Sequence, residues 1–204
     1  NNNTALGYLA LSTSVDGDCN TAIGSSALES YEDGDGNGHN TAVGNSSQLN
    51  ALTGEFNTSV GSLSMGAGAT TGNDNVAIGH QAGEDLTSGA SNVLLGKGAG
   101  GSLTSGFYNV AIGHAALAVE TSRGRNIAIG YASLNILATS GGQGNNVAIG
   151  MESGKAMTTG TNHTIIGANA GDALTTGEGN VALGAQALST ETTGGKNTAI
   201  GARS

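Results

Sequence analysis

The residues best placed to do chemistry are oxygen donors at alternate positions. Asp33-Gly34-Asp35-Gly36-Asn37-Gly38 reads Asp-x-Asp-x-Asn-Gly, and Asp16 and Asp18 stand about one repeat earlier. Hard oxygen ligands converging on a glycine turn suit Ca2+, so Asp33, Asp35, Asn37, Asp16 and Asp18 are the candidate metal ligands. The glutamate that closes an EF-hand loop is missing, because its place falls on Gly44. The competing reading is a solvated acidic turn. No cofactor is required by anything else in the chain. His80 and His114 both follow a glycine, but two repeats separate them, or about 9.6 Å in a stack, which is too far for one metal ion. Gly96-x-Gly98-x-x-Gly101 matches a dinucleotide fingerprint by letter only, with no helix pattern behind it. Cys19 has no basic neighbour to make it a nucleophile. No nucleophile, base and orienting group stand together, and the expectation is that the chain is not an enzyme.

Composition points the same way. Of 204 residues 37 are Gly and none is Pro or Trp; aromatics make up 3% and charged residues 10%. A core without large side chains must be thin and evenly repeated. The net charge of −9 repels phosphate backbones and anionic lipid, and no stretch approaches the length of a membrane helix. Nucleic acid and membrane insertion are therefore not expected of this segment.

What must position every side chain is a repeat. A five-residue word, Asn, then Thr/Val/Ile, then usually Ala, then a large aliphatic, then Gly, recurs twelve times, and eight of the eleven intervals are 17 residues. One interval is 18 and two are 20, the longest holding the stretches 31–37 and 140–144, so extra residues are expected to enter at turns. Eleven words begin with asparagine: Asn3, Asn20, Asn40, Asn57, Asn75, Asn92, Asn109, Asn126, Asn146, Asn180 and Asn197. His163 takes the remaining place. If each repeat makes one coil, these residues stack at about 4.8 Å into a ladder of amides, worth about 1 kcal/mol per rung. The residue before each Gly gives a second column: Leu6, Ile23, Val43, Val60, Ile78, Leu95, Ile112, Ile129, Ile149, Ile166, Leu183 and Ile200. With the β-branched residue two places earlier it shares one strand face, read as the aliphatic core between two short strands. The Ala between them, and an Ala or Ser three residues after every Gly, predict close approach of a further surface. Twelve rungs give a rod about 55 Å long.

The words Asn20-Thr21-Ala22-Ile23-Gly24, Asn75-Val76-Ala77-Ile78-Gly79 and Asn126-Ile127-Ala128-Ile129-Gly130 resemble the YadA-like head repeats of trimeric autotransporter adhesins. The longer unit from Asn180 to Leu188, followed by Thr192-Thr193-Gly194, is similar to repeats of phage tail fibres and other surface fibres. The resemblance spans essentially the whole chain and implies a left-handed parallel β-roll that trimerises. The expectation is an all-β parallel β-solenoid of about twelve 17-residue coils. Residues 1–204 form a single repeat domain, either a segment of a longer fibre or a unit that stacks end to end. Its expected work is structural and adhesive: an extracellular, cell-surface or virion-surface rod whose repeated columns meet a host receptor or glycan. Its expected partner is itself, as a homotrimer or a filament.

Ice binding is a further alternative. Thr87, Thr104, Thr121, Thr158, Thr175 and Thr192 each stand eight residues after their Gly, and an ordered hydroxyl array can organise water. The competing reading is that these threonines hold a turn. Asn2, Asn45, Asn57 and Asn162 begin glycosylation sequons of the kind so Asn- and Thr-rich a chain produces by chance.

Overall fold

The computed structural model describes residues 2–14, 17–32, 38–136 and 143–204. Each word forms one short strand: β1 (Thr4–Leu6), β2 (Thr21–Ile23), β3 (Thr41–Val43), β4 (Thr58–Val60), β5 (Val76–Ile78), β6 (Val93–Leu95), β7 (Val110–Ile112), β8 (Ile127–Ile129), β9 (Val147–Ile149), β10 (Thr164–Ile166), β11 (Val181–Leu183) and β12 (Thr198–Ile200). They pair in parallel in chain order, giving one twelve-stranded sheet and a β-solenoid. Register is kept throughout. Ala22 faces Ala42 and Ala128 faces Ala148 across the two 20-residue intervals, so the added residues leave the ladder undisturbed.

Three-residue strands alone would make a weak stack, and the turns supply the rest. Among the described residues, twenty-eight non-glycine residues have φ between 47° and 62°. They fall mainly in three columns: before the ladder residue (Tyr108, Arg125), two after Gly (Ser26, Ala115) and four after Gly (Leu28, Leu117). Left-handed backbone costs about 1 kcal/mol per residue. Here it turns the peptide N–H along the rod. Ala115 donates to the Lys97 carbonyl of the preceding coil at 3.0 Å, and Leu117 donates to the Ser133 carbonyl of the following coil at 3.0 Å. Hydrogen bonding between coils thus continues through the turns. The glycine after each strand has φ near +130°, and a Cβ on Gly96 would lie 2.6 Å from the Gly113 carbonyl oxygen, so that column admits no side chain.

The core lies on the side of the strand opposite to the one expected. None of the twelve aliphatic residues from Leu6 to Ile200 is buried, and Leu6, Ile78, Leu183 and Ile200 are 67%, 42%, 44% and 67% exposed. The residue between the two aliphatic columns points inward instead and is fully buried from Ala22 to Ala182. Period-two alternation holds, with its sense reversed. The reason is that, among the described residues, each coil has one strand rather than two, so the strand's inner face packs on the turn residues of the coils. Alanine meets the Ala or Ser three residues after Gly, as where Ser64 Oγ donates to the Ala77 carbonyl at 2.8 Å. Both small columns are thus buried inside the chain, where one coil meets the next.

Volume is shared between coils. Leu94 and Ile165 are the large aliphatic residues of the inner strand column. Leu94 lies between Gly83 and Gly100, where an added Cβ would approach its methyl groups to 2.8 and 2.7 Å; Ile165 is placed likewise near Gly171 at 3.0 Å, with Gly154 in the coil before. Towards the other end, polar groups interrupt the core. Ser47 Oγ and Ser59 Oγ are 2.6 Å apart, and Gln48 Nε2 donates to Ser59 Oγ at 2.9 Å. This seam separates an apolar cluster at residues 22–51 from one at 65–187.

Candidate functional site

Two features have the extent and regularity to act: an internal ladder of amides and an external face of aliphatics. Along the ladder an asparagine N–H donates to Oδ1 of the asparagine one coil earlier, as from Asn92 to Asn75 (3.1 Å) and from Asn109 to Asn92 (2.9 Å). In most rungs Nδ2 donates to a carbonyl about 14 residues on, as from Asn92 to Gly106 (2.9 Å) and from Asn180 to Gly194 (2.8 Å). Asn40 through Asn180 are fully buried, which places the column inside the rod. Asparagine suits it because one short side chain both accepts from the next rung and closes its own coil.

His163 reproduces half of that pattern. Its N–H donates to Asn146 Oδ1 and its Nδ1 accepts the Asn180 N–H, both at 3.0 Å. Burial pushes its pKa below the ordinary 6.5, against smaller upward contributions from the Gly177 carbonyl and Glu178.

On the outside, the aliphatic column forms a continuous apolar strip along all twelve strands, widened by the column two residues before it, which is Val or Ile on six strands and Thr on the other six. It is about 55 Å long and about 10 Å wide, on the order of 500 Å2, the upper end of what a lone soluble chain exposes. Exposed Phe56, Tyr108, Tyr131 and Met151 stand in the columns that flank it in sequence. Rings stack between neighbouring coils there: His39 on Phe56 with centroids 5.1 Å apart and His114 on Tyr131 at 5.5 Å.

The candidate calcium ligands Asp33, Asp35, Asn37 and Asp16 lie outside the described residues. Asp18 is described, and its carbonyl accepts the His39 N–H at 3.2 Å. Among the described residues no three His, Cys, Asp or Glu side chains are grouped to hold a metal ion. His80 and His114 are exposed, and Cys19 is free and half-buried. Gly98 and Gly100 are left-handed turn residues in a coil without a helix. In the threonine column, the hydroxyls of Thr87, Thr104, Thr158 and Thr175 donate to the carbonyl of the next coil at 2.8 to 3.0 Å. Those protons are committed to the turn.

Sequence reasoning overlooked Glu120 and Arg123. Glu120 is fully buried, its Oε1 accepting N–H from Ser122 (2.8 Å) and Arg123 (2.7 Å). Arg123 Nη1 reaches two coils on, to the carbonyls of Thr159 (3.3 Å) and Gly160 (3.2 Å). The signal was departure from the column: Leu86, Leu103, Met157 and Leu174 hold the place of Glu120, and Gly89, Gly106 and Gly160 the place of Arg123. Comparison with family models, curated proteins and solved structures finds no match to the chain.

Proposed function

We propose that the chain is a structural and adhesive fibre segment, a stiff rod on a cell or virion surface that associates with copies of itself along its aliphatic strand face. The observation that carries this reading is the aliphatic strip, exposed on six strands and half-buried on the other six. An apolar strip of that length in water is a standing drive for association, and a rod repeating every 4.8 Å offers the same strip at every level. Bundling copies would cover it and stiffen the shaft. The columns left outside the bundle, with their stacked rings, would meet a receptor or glycan through many weak contacts that gain by multivalency. A structural role of this kind requires neither a metal nor a catalytic group.

Sedimentation equilibrium at micromolar concentration tests the reading. The expected mass is a small multiple of the monomer, three copies being the state expected from the repeat's resemblance to fibre heads. Ile112→Lys with Ile129→Lys, outward-facing on adjacent central strands, should leave the circular dichroism unchanged and shift the mass to that of one chain. A monomeric parent chain would overturn the proposal, and mass growing without limit would favour the end-to-end filament.

A further inference from the structure

The ladder's one substitution places a titratable ring where every other rung has an amide that cannot change charge. His163 is 1% exposed. Its Nδ1 is occupied as the acceptor for the Asn180 N–H at 3.0 Å, which fixes the neutral tautomer with the proton on Nε2. The ring packs over Gly160 in the space a side chain there would take: a Cβ on Gly160 would lie 2.6 Å from Nε2 and 2.9 Å from Cδ2. Nε2 corresponds to the amide nitrogen of an asparagine rung and faces the Gly177 carbonyl, but it makes no hydrogen bond of ordinary geometry. A proton arriving at Nδ1 would set two donors against each other at the hydrogen bond that His163 makes to the next asparagine rung. Asn180 in turn carries the following rung, its Oδ1 accepting the Asn197 N–H at 2.9 Å. Among the described residues, the charged group that acts on the ring is Glu178, whose Oε1 accepts the Asn162 amide at 3.1 Å.

We infer that His163 is an acid-sensitive joint in the asparagine ladder: protonation at Nδ1 breaks its bond to Asn180 and loosens the coil of β11 from the coil of β10, while rungs made only of asparagine hold. The sign follows from the ring's surroundings. Burial lowers the folded-state pKa, so the contribution is complete above the unfolded value of 6.5 and is lost as pH falls below it towards the folded value.

The test is amide hydrogen exchange by NMR from pH 7.5 to 5.0, comparing Asn180 with Asn109, whose acceptor is Asn92 Oδ1 in an uninterrupted stretch. After correction for intrinsic rates, opening at Asn180 relative to Asn109 should rise by up to tenfold for each pH unit below 6.5. His163→Asn installs the residue of the other eleven rungs and should abolish that dependence. Glu178→Gln should retain it. A flat Asn180 to Asn109 ratio in the parent chain, or an unchanged slope in His163→Asn, overturns the inference. So does ring titration at the ordinary histidine value with the Asn180 amide signal unmoved.

Discussion

The two places where the repeat lengthens from 17 to 20 residues are bridged by opposite means. In the coil after Gly24, Tyr31 is fully buried and lies over Gly17, where a Cβ would come within 2.5 Å of its ring; it joins Ala22, Ala27, Leu28, Ala42 and Ala51 in one apolar cluster. Beside the lengthened coil after Gly130, charge takes over. Glu120, at the position that Tyr31 occupies in its own coil, folds back onto backbone N–H groups, and Arg123 reaches past the intervening coil to the carbonyls of Thr159 and Gly160. A periodic core can be extended by rule, but an interruption needs a filling of its own. Tyr31 fills its site by apolar contact, whereas the hold of a buried carboxylate depends on pH.

The largest expected effect breaks the aromatic side of that contrast. Tyr31→Ala empties the cluster and should lower stability by about 3–5 kcal/mol in denaturant unfolding, equally at pH 5 and pH 8. Arg123→Ala removes two charge-assisted bonds to carbonyls and should cost about 2–3 kcal/mol. Equal pH dependence in the two variants would contradict the division into apolar plug and charged bridge.

Leu94 sharpens the comparison because it fills space with no interruption nearby. Leu94→Ala should cost about 2–4 kcal/mol through the cavity left between Gly83 and Gly100. Gly100→Ala crowds the Leu94 methyl at 2.7 Å. It should therefore be better tolerated when Leu94 is already alanine, with a coupling of about 1 kcal/mol in a double-mutant cycle. Additive effects would show that the volumes are not shared.

These cases mark how far the sequence could be read. The period, the parallel stacking and the asparagine column were legible because each is carried by one residue type recurring at a fixed interval. The buried face was not. Ile78 and Ala77 alternate as any strand would, and assigning the larger residue to the interior assumes a second strand in each coil, which the described residues do not form. The left-handed columns were hidden because Leu28, Tyr108 and Arg125 are not residues that favour positive φ; bonds to neighbouring coils hold them there. Glu120 was visible only as a departure from a leucine column, and burial, which sequence does not display, decides what it does.

Glu120 and Glu191 carry the comparison to its smallest scale. Both stand seven residues after a strand-end glycine, and both turn a carboxylate onto the following backbone, Glu191 Oε1 accepting from Thr192, Thr193 and Gly194 at 3.1, 3.1 and 2.7 Å. Their environments separate them. Burial raises the Glu120 pKa above 4.5 despite its backbone donors, whereas in Glu191 those donors outweigh desolvation and lower it. A raised value makes the Glu120 contribution complete below pH 4.5 and lost as pH climbs through the folded value. Glu191 runs the other way, its contribution present above pH 4.5 and lost as pH falls. Thermal melts of Glu120→Gln and Glu191→Gln between pH 3.5 and 7.5 should therefore diverge from the parent in opposite directions. Relative to the parent, Glu120→Gln gains as pH rises, since the amide keeps an acceptor for the Ser122 and Arg123 N–H groups without a buried charge. Glu191→Gln loses, by less than any variant above, because its carboxylate is solvated. Parallel curves would mean that the turn's N–H groups, rather than the depth of burial, set how both carboxylates behave.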